Sequence, residues 1–233
     1  MINFALNMKC LCVPFLFIAY GGHSDPTEAE LRWQAFSALA YGARGVTWFC
    51  YWTPPGAPYA TDGGIITPKR RASNASGPVV FKRGVHYAHA QRINGVLRVF
   101  GGFLLRAAST GIFYRSAPCC SSSQSARLPA ASTVIAAVND TGAGPGFEFL
   151  LGEFRTEHGD TAVLLHNQDH TNTLLASLTF VTPSDVQRLK EVDASSGAIA
   201  GVWDDAPDSP GLQLLLEAGA ARLLVLLSLP GAL

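Results

Sequence analysis

The chain has 233 residues, of which 48% are hydrophobic, and its 17 basic and 17 acidic side chains give a formal net charge of zero. This composition excludes a disordered chain, and the lack of net positive charge argues against a nucleic-acid partner. No apolar run reaches the ~18 residues that a membrane-spanning helix needs, so no membrane span is predicted.

The first apolar run, residues 11–20, has two interpretations. It follows Lys9 and ends in small residues, as the hydrophobic part of a signal peptide does. It is also typical of a strand that is buried on both faces and ends at Gly21. Periodicity does not separate the two interpretations of residues 1–21, but the segments that follow favour the strand.

A helix is predicted next, from Asp25 to Tyr41. Asp25 is suited to cap its first turn, Pro26 suits the first helical position, and Glu28 stands where a capping box places its carboxylate. The β-branched and aromatic residues 45–51 then predict a second buried strand. The order strand, helix, strand predicts a parallel βαβ unit with a right-handed crossover.

The rest of the chain changes in character. A loop rich in Pro and Gly is predicted over 52–78, a helix over about 79–103, and a Ser/Ala-rich exposed loop over 117–132. Apolar or alternating segments between turn residues predict further strands. These strands are 111–114, 147–155, 161–167, 173–181, 187–193 and 212–227. They indicate an antiparallel β-sandwich that follows an α/β piece.

Three stretches carry a resemblance to a known family: PTEAELRWQAF at 26–36, ALAYGARGV at 38–46 and WFCYW at 48–52. They resemble the end of the (β/α)8 barrel in glycoside hydrolases of the β-galactosidase-like, family 42-related type. Residues 86–105 are similar to the final barrel helix. LLGEF at 150–154 and AVLLHN at 162–167 are similar to the β-rich domain that follows such barrels.

The resemblance implies a fold of the class α/β plus all-β. Residues 1–108 would be an incomplete TIM-barrel remnant, made of the last two strand–helix units. Residues 109–233 would be an antiparallel β-sandwich domain with a low-complexity insert at about 117–146. Because a whole barrel takes about 250 residues, the sequence is expected to be a fragment of a glycosidase that is inactive alone.

Two other functions are compatible with the same residues. The first is a non-catalytic carbohydrate-binding protein or pseudo-enzyme, because glycosidases need two carboxyl groups and no Glu stands at residues 20–25, where the family pattern places one. The second is a secreted interaction protein built on the β-sandwich. The sequons at Asn74 and Asn139 fit a secreted protein.

The candidate site residues follow the two predicted strands of the barrel piece. Asp25 is the one carboxylate near the first strand, and it is either a displaced nucleophile or the helix cap. Trp52 directly follows the second strand, on the face where barrel active sites lie, and its ring would stack on a sugar. Tyr51, Tyr20 and His23 are further candidate sugar contacts. The catalytic acid/base itself is not assigned to any residue.

No metal or other cofactor is predicted. The five cysteines lack the paired spacing of a zinc site, and Cys10-x-Cys12 has no second pair of ligands. His86 and His89 would share a helix face, but no third ligand has a defined place. The partner that the resemblance implies is a carbohydrate, and no metal is expected at its site.

Overall fold

The structure is a computed structural model that describes residues 15–17, 25–52, 63–68, 80–115, 132–140, 148–207 and 211–228. Within these residues it contains two α-helices and thirteen strands, most of them paired antiparallel. In chain order the elements are β1 (Phe15–Phe17), α1 (Glu28–Ala40), β2 (Thr47–Phe49), β3 (Ile66–Pro68), β4 (Phe81–Arg83), α2 (Val85–Leu104), β5 (Ala108–Arg115), β6 (Ile135–Asp140), β7 (Phe149–Arg155), β8 (Thr161–Asn167), β9 (Leu174–Phe180), β10 (Leu189–Val192), β11 (Ile199–Gly201), β12 (Leu212–Leu216) and β13 (Ala221–Leu226).

Two antiparallel sheets enclose the larger core. One has six strands in the order β11-β10-β13-β8-β7-β5, and the other has three in the order β12-β9-β6. Because side chains alternate along a strand, one set from each sheet points to the other sheet. Phe149 and Leu151 of β7 meet Leu178 of β9 and Leu214 of β12 in this core. The arrangement is consistent with a β-sandwich.

The opposite face of the six-stranded sheet is covered by the two helices. Leu150 and Phe154 of β7 and Leu164 of β8 pack there against Phe36 of α1 and Phe100 of α2. The central strands are therefore buried on both faces, and every residue of β8 is buried. This double burial is why their sequences are continuous apolar runs rather than alternating ones.

The N-cap of helix α1 lies two residues after the cap that the sequence indicates. Its N-cap is Thr27, whose hydroxyl accepts from the Glu30 N–H, while the Glu30 carboxylate accepts from the Thr27 N–H in a capping box. The prediction that Asp25 caps this helix is therefore wrong. The Thr27 N–H holds the pKa of Glu30 below its usual value, against the effect of burial.

Helix α1 docks closely on the turn between β12 and β13. Gly219 has φ +65°, and a Cβ at this position would lie 2.2 Å from the Ala29 carbonyl oxygen. Arg32 donates to the Glu217 carboxylate and to the Ala218 carbonyl oxygen, both at 2.9 Å. A glycine is required at this turn because any side chain would force the helix away.

The expected TIM-barrel remnant is wrong. In a barrel, each helix packs on the parallel strands that it connects. Here both helices pack on the antiparallel six-stranded sheet, and α2 leads into β5, which pairs antiparallel with β7. Within the described residues, parallel pairing is confined to three residue pairs between β1 and β2 and a single bridge between Trp52 and Ile66.

Several strands depart from the predicted boundaries. The segment at 212–227 is two strands joined at Gly219, and Phe81–Arg83, predicted as helix, pairs with β3 in a short hairpin before α2. Strand β6 falls inside the predicted insert, and its Ile135 and Val138 belong to the sandwich core. The predicted domain boundary at residue 108 stays a prediction. Neither of the two described helices has the length and apolarity to cross a membrane.

Candidate functional site

Three exposed aromatic side chains, Tyr51, Trp52 and Phe81, form what we call the aromatic platform. Tyr51 and Trp52 follow β2 and lie beside β3, where the Ile66 N–H donates to the Tyr51 carbonyl oxygen at 2.8 Å. Phe81 opposes Pro68 in the β3–β4 hairpin. The Trp52 and Phe81 rings stand edge to face with centroids 6.1 Å apart.

The platform is unusually accessible for aromatic residues. Tyr51 is 59% exposed, Trp52 44% and Phe81 43%. A neighbouring cation lies on the same hairpin: Arg83 is two residues from Phe81, so both side chains leave the same face of β4. Its guanidinium lies 4.4 Å from the centre of the Tyr87 ring. The surface thus combines aromatic faces with hydrogen-bond donors.

Asp25 is joined to a buried histidine rather than to a helix end. The His86 Nε2 and an Asp25 carboxylate oxygen are 2.7 Å apart, with the His86 side chain 2% and the Asp25 side chain 68% exposed. The Nε2–H therefore donates to Asp25. The His86 Nδ1 is buried without a hydrogen-bond partner among the described residues.

A second carboxylate, Glu28, lies near this pair, and both of its oxygens accept hydrogen bonds. Arg92 donates to both of its oxygens, at 2.8 and 2.6 Å, and this hydrogen bonding lowers the pKa of Glu28. The His89 and His86 rings are tilted against each other with centroids 5.6 Å apart. Partial burial lowers the pKa of His89, although Glu28 acts in the opposite direction. We call Asp25, Glu28, His86, His89 and Arg92 the histidine cluster.

The histidine cluster lacks the groups that glycoside hydrolysis or metal binding requires. Glycoside hydrolysis requires one carboxylic acid that stays protonated, and such an acid has a raised pKa. Glu28 is held ionised by Arg92, so it does not meet this requirement. Among the described residues no group of three or more His, Cys, Asp or Glu side chains is placed to hold a metal ion. The exposed oxygen of Asp25 can still accept a hydroxyl group.

The predicted site residues are only partly brought together. Trp52 and Tyr51 are adjacent on the platform, as their positions in the chain imply. Phe81 joins them, and no pattern in the sequence pointed to it. No hydrogen bond or ring contact among the described residues connects Asp25 to Trp52. Tyr20 and His23 lie outside the described residues.

One further polar pair has the spacing of a nucleophile and its base. Ser37 Oγ and His166 Nε2 are 3.1 Å apart, and the His166 Nδ1–H donates to the Ala220 carbonyl oxygen at 3.0 Å. However, burial lowers the pKa of His166 to about 4, and the Ser37 hydroxyl also accepts from Gln168. The pair is therefore a structural link between α1 and β8.

Comparison of the chain with protein-family models, with curated proteins and with solved structures finds no match. The resemblance to glycoside hydrolases therefore stays a prediction.

Proposed function

We propose that this chain binds a neutral carbohydrate and does not hydrolyse it. The observation that carries the proposal is the aromatic platform, in which Tyr51, Trp52 and Phe81 are all exposed and two of the rings are in contact. Monomeric proteins rarely leave large aromatic side chains grouped on the surface without a binding role. Sugar rings present apolar C–H faces that suit such a surface.

The polar groups near the platform support the same proposal. A saccharide also needs hydrogen-bond partners for its hydroxyl groups, and ligand sites combine an apolar surface with a few well-placed polar groups. Arg83 supplies donors on the face of β4 that carries Phe81. The zero net charge of the chain gives no preference for a polyanion.

The proposal predicts that Trp52→Ala weakens the binding of neutral oligosaccharides by about tenfold, the effect of losing one well-formed contact. The measurement is a titration with cellotetraose, xylotetraose and galactotetraose, followed by the indole N–H signals in a proton–nitrogen NMR spectrum. Trp52→Phe, which keeps an aromatic face, should retain most of the affinity.

Tyr114→Ala is the matched control for this titration, because Tyr114 is 54% exposed on β5 and lies outside the platform. Its affinity should equal that of the unchanged chain. Equal affinities for Trp52→Ala and the unchanged chain would contradict the proposal.

We propose, as a second candidate, that the chain is part of a glycoside hydrolase in which Asp25 takes part in hydrolysis. The favouring observation is an exposed carboxylate bonded to a buried imidazole, which holds Asp25 in one position. The resemblance of residues 26–52 to such enzymes points to the same activity.

The two candidates differ in one measurement. We expect the chain to show no turnover of nitrophenyl glycosides, because Glu28 is held ionised by Arg92 and offers no second, protonated carboxyl group. The assay compares the unchanged chain with Asp25→Asn at several pH values. A turnover that Asp25→Asn abolishes would establish the second candidate in place of the first.

A further inference from the structure

A shallow groove runs along the three-stranded sheet, and the polar side chains that β6 and β9 contribute to its lining lie on the face away from the sandwich core. The groove has a volume of about 580 Å³, within the range of about 300–1,000 Å³ that is usual for small-molecule sites. We call it the outer groove, and it is lined by Asn139, Ser177, Leu178, Thr179, Phe180, Pro183, Asp204, Gly211 and Leu212. None of these residues belongs to the aromatic platform.

The polar side chains of the outer groove converge by strand geometry. Ser177 and Thr179 are two residues apart on β9, so they leave the sheet on one face, and Asn139 of β6 lies directly opposite Ser177. Gln213 donates to the Ser177 hydroxyl at 3.0 Å, which fixes that hydroxyl in place.

Hydrogen-bonding capacity is left over at three points in the groove. The side chains of Asn139 and Thr179 are exposed and make no hydrogen bond within the described part of the chain. Asp204 uses its Oδ1 to accept from the backbone N–H groups of Ala206 and Gln213, at 3.0 and 3.2 Å. This holds the carboxylate in position and leaves its Oδ2 available to a ligand.

An exposed tryptophan stands next to the groove. Trp203 immediately precedes Asp204 and is 75% exposed, more than any other large hydrophobic side chain of the described residues. The backbone at Asp205 is bonded to Gln213 of β12, so this segment runs along the edge of the three-stranded sheet. Trp203 is therefore an exposed aromatic residue next in the chain to a residue that lines the outer groove.

We propose that the outer groove is a second saccharide-binding site, with Trp203 as its stacking residue and Asn139, Thr179 and Asp204 as its hydroxyl partners. Amide, hydroxyl and carboxylate groups suit a neutral polyhydroxylated ligand. The described lining residues include Asp204 but no Lys or Arg, so an anionic ligand is disfavoured. Because it shares no residue with the aromatic platform, this proposal goes beyond the first and can fail or succeed alone.

The tryptophan indole N–H signals allow each site to be observed separately. The chain has four tryptophans, and two of their indole groups are bonded within the protein, Trp33 to Gln168 and Trp48 to Asn94. The signals of Trp52 and Trp203 can be assigned by changing each residue to Phe. Titration with cellotetraose, xylotetraose and galactotetraose should shift the Trp203 signal with at least one of the three sugars.

Variants of the groove give the decisive comparison. Asn139→Ala and the nearly isosteric Thr179→Val should each raise the dissociation constant read at Trp203 by about tenfold and leave the value read at Trp52 unchanged. Ile199→Ala, at an exposed apolar residue of β11, is the control and should change neither value. Thermal melting of each variant checks that it is folded, which is expected because the removed groups are exposed.

Two outcomes decide against the groove. If the Trp203 signal does not shift with any of the three sugars, or if Asn139→Ala and Thr179→Val bind as tightly at Trp203 as the unchanged chain does, the outer groove is not a saccharide site. A Trp52 shift alone would overturn this inference and support the platform. If the Trp203 signal shifts, the groove variants weaken that binding and the Trp52 signal does not shift, the outer groove is supported and the platform is not.

Discussion

Gly152→Ala is expected to destabilise the protein by about 3 kcal/mol, which is a large effect for the addition of one methyl group. Gly152 lies in the middle of β7, on the face covered by α1. A Cβ built at this position would lie 2.4 Å from the Ala40 carbonyl oxygen and 2.9 Å from the Ala40 Cα. Both are backbone atoms, so no side-chain rotation can relieve the contact and the helix would have to move.

The measurement is urea unfolding at neutral pH, in which the midpoint should fall while the slope stays the same. Gly201→Ala is the matched control, because Gly201 lies in β11 and a Cβ there meets nothing within 4 Å. Alanine in a strand loses less backbone entropy on folding than glycine, so the control should be neutral or slightly stabilising. Similar midpoints for the two variants would contradict the close docking of α1 on β7.

The second large effect is a loss of stability in mild acid, caused by His166. This side chain is fully buried between α1 and β8, and burial lowers its pKa from 6.5 to about 4 against the hydrogen bond to the Ala220 carbonyl oxygen. In the unfolded chain the imidazole keeps its ordinary pKa. Below pH 6.5 the unfolded state therefore binds a proton that the folded state excludes.

The direction and size of the change in stability with pH follow from this difference in proton binding. Stability from His166 is fully present above pH 6.5 and is lost as the pH falls to about 4. The two pKa values differ by about 2.5 units, which corresponds to about 3 kcal/mol over that range. Urea unfolding at pH 7.5, 6.5, 5.5 and 4.5 measures the slope directly.

His166→Gln tests the assignment, since glutamine keeps one donor and one acceptor but does not titrate. We expect this variant to be less stable at pH 7.5 and to show a much flatter pH dependence between 6.5 and 4.5. His158→Gln is the control, because the His158 side chain is 77% exposed. If His166→Gln kept the full pH slope, another group would have to be responsible.

Local sequence signals were reliable where one short stretch determines the outcome. Helical spacing predicted α1, and apolar runs between turn residues predicted β7, β8 and β9 close to their observed bounds. Trp52 was placed next to the end of a strand and is exposed there. These features depend on periodicity and turn residues, which are visible within about ten residues of sequence.

The sheet arrangement was not determined in this way. A strand buried on both faces has the same apolar sequence in a parallel barrel and in an antiparallel sheet covered by helices. Parallel pairing of β1 with β2 was predicted and is observed over three residue pairs. The predicted continuation of a barrel is wrong, because Phe36 and Phe100 pack on β7 and β8 of the antiparallel sheet. Strand β6 was missed because a six-residue strand beside a low-complexity stretch has little local signal.

Only part of the candidate site could be predicted from the sequence. Tyr51 and Trp52 are neighbours in the chain, so their joint exposure needed only the end of one strand. The partners that complete the site come from far away: Phe81 reaches Trp52 through the β3–β4 hairpin, and His86 meets Asp25 across 61 residues. Asp25 looked like a helix cap because capping uses only local residues, whereas its real partner is set by the packing of α1 beside α2.

The sequence by itself determined the two helices, the strands β7, β8 and β9, the neutral charge and the position of the exposed aromatic pair after β2. The tertiary structure alone decided that the two helices cover an antiparallel sheet, that Gly152 and His166 hold α1 against it, and that polar side chains from β6 and β9 meet in the outer groove. The physical reason is that secondary structure responds to local spacing and solvent exposure. Contacts between distant segments depend on which complementary faces bury each other, and many arrangements share the same local pattern.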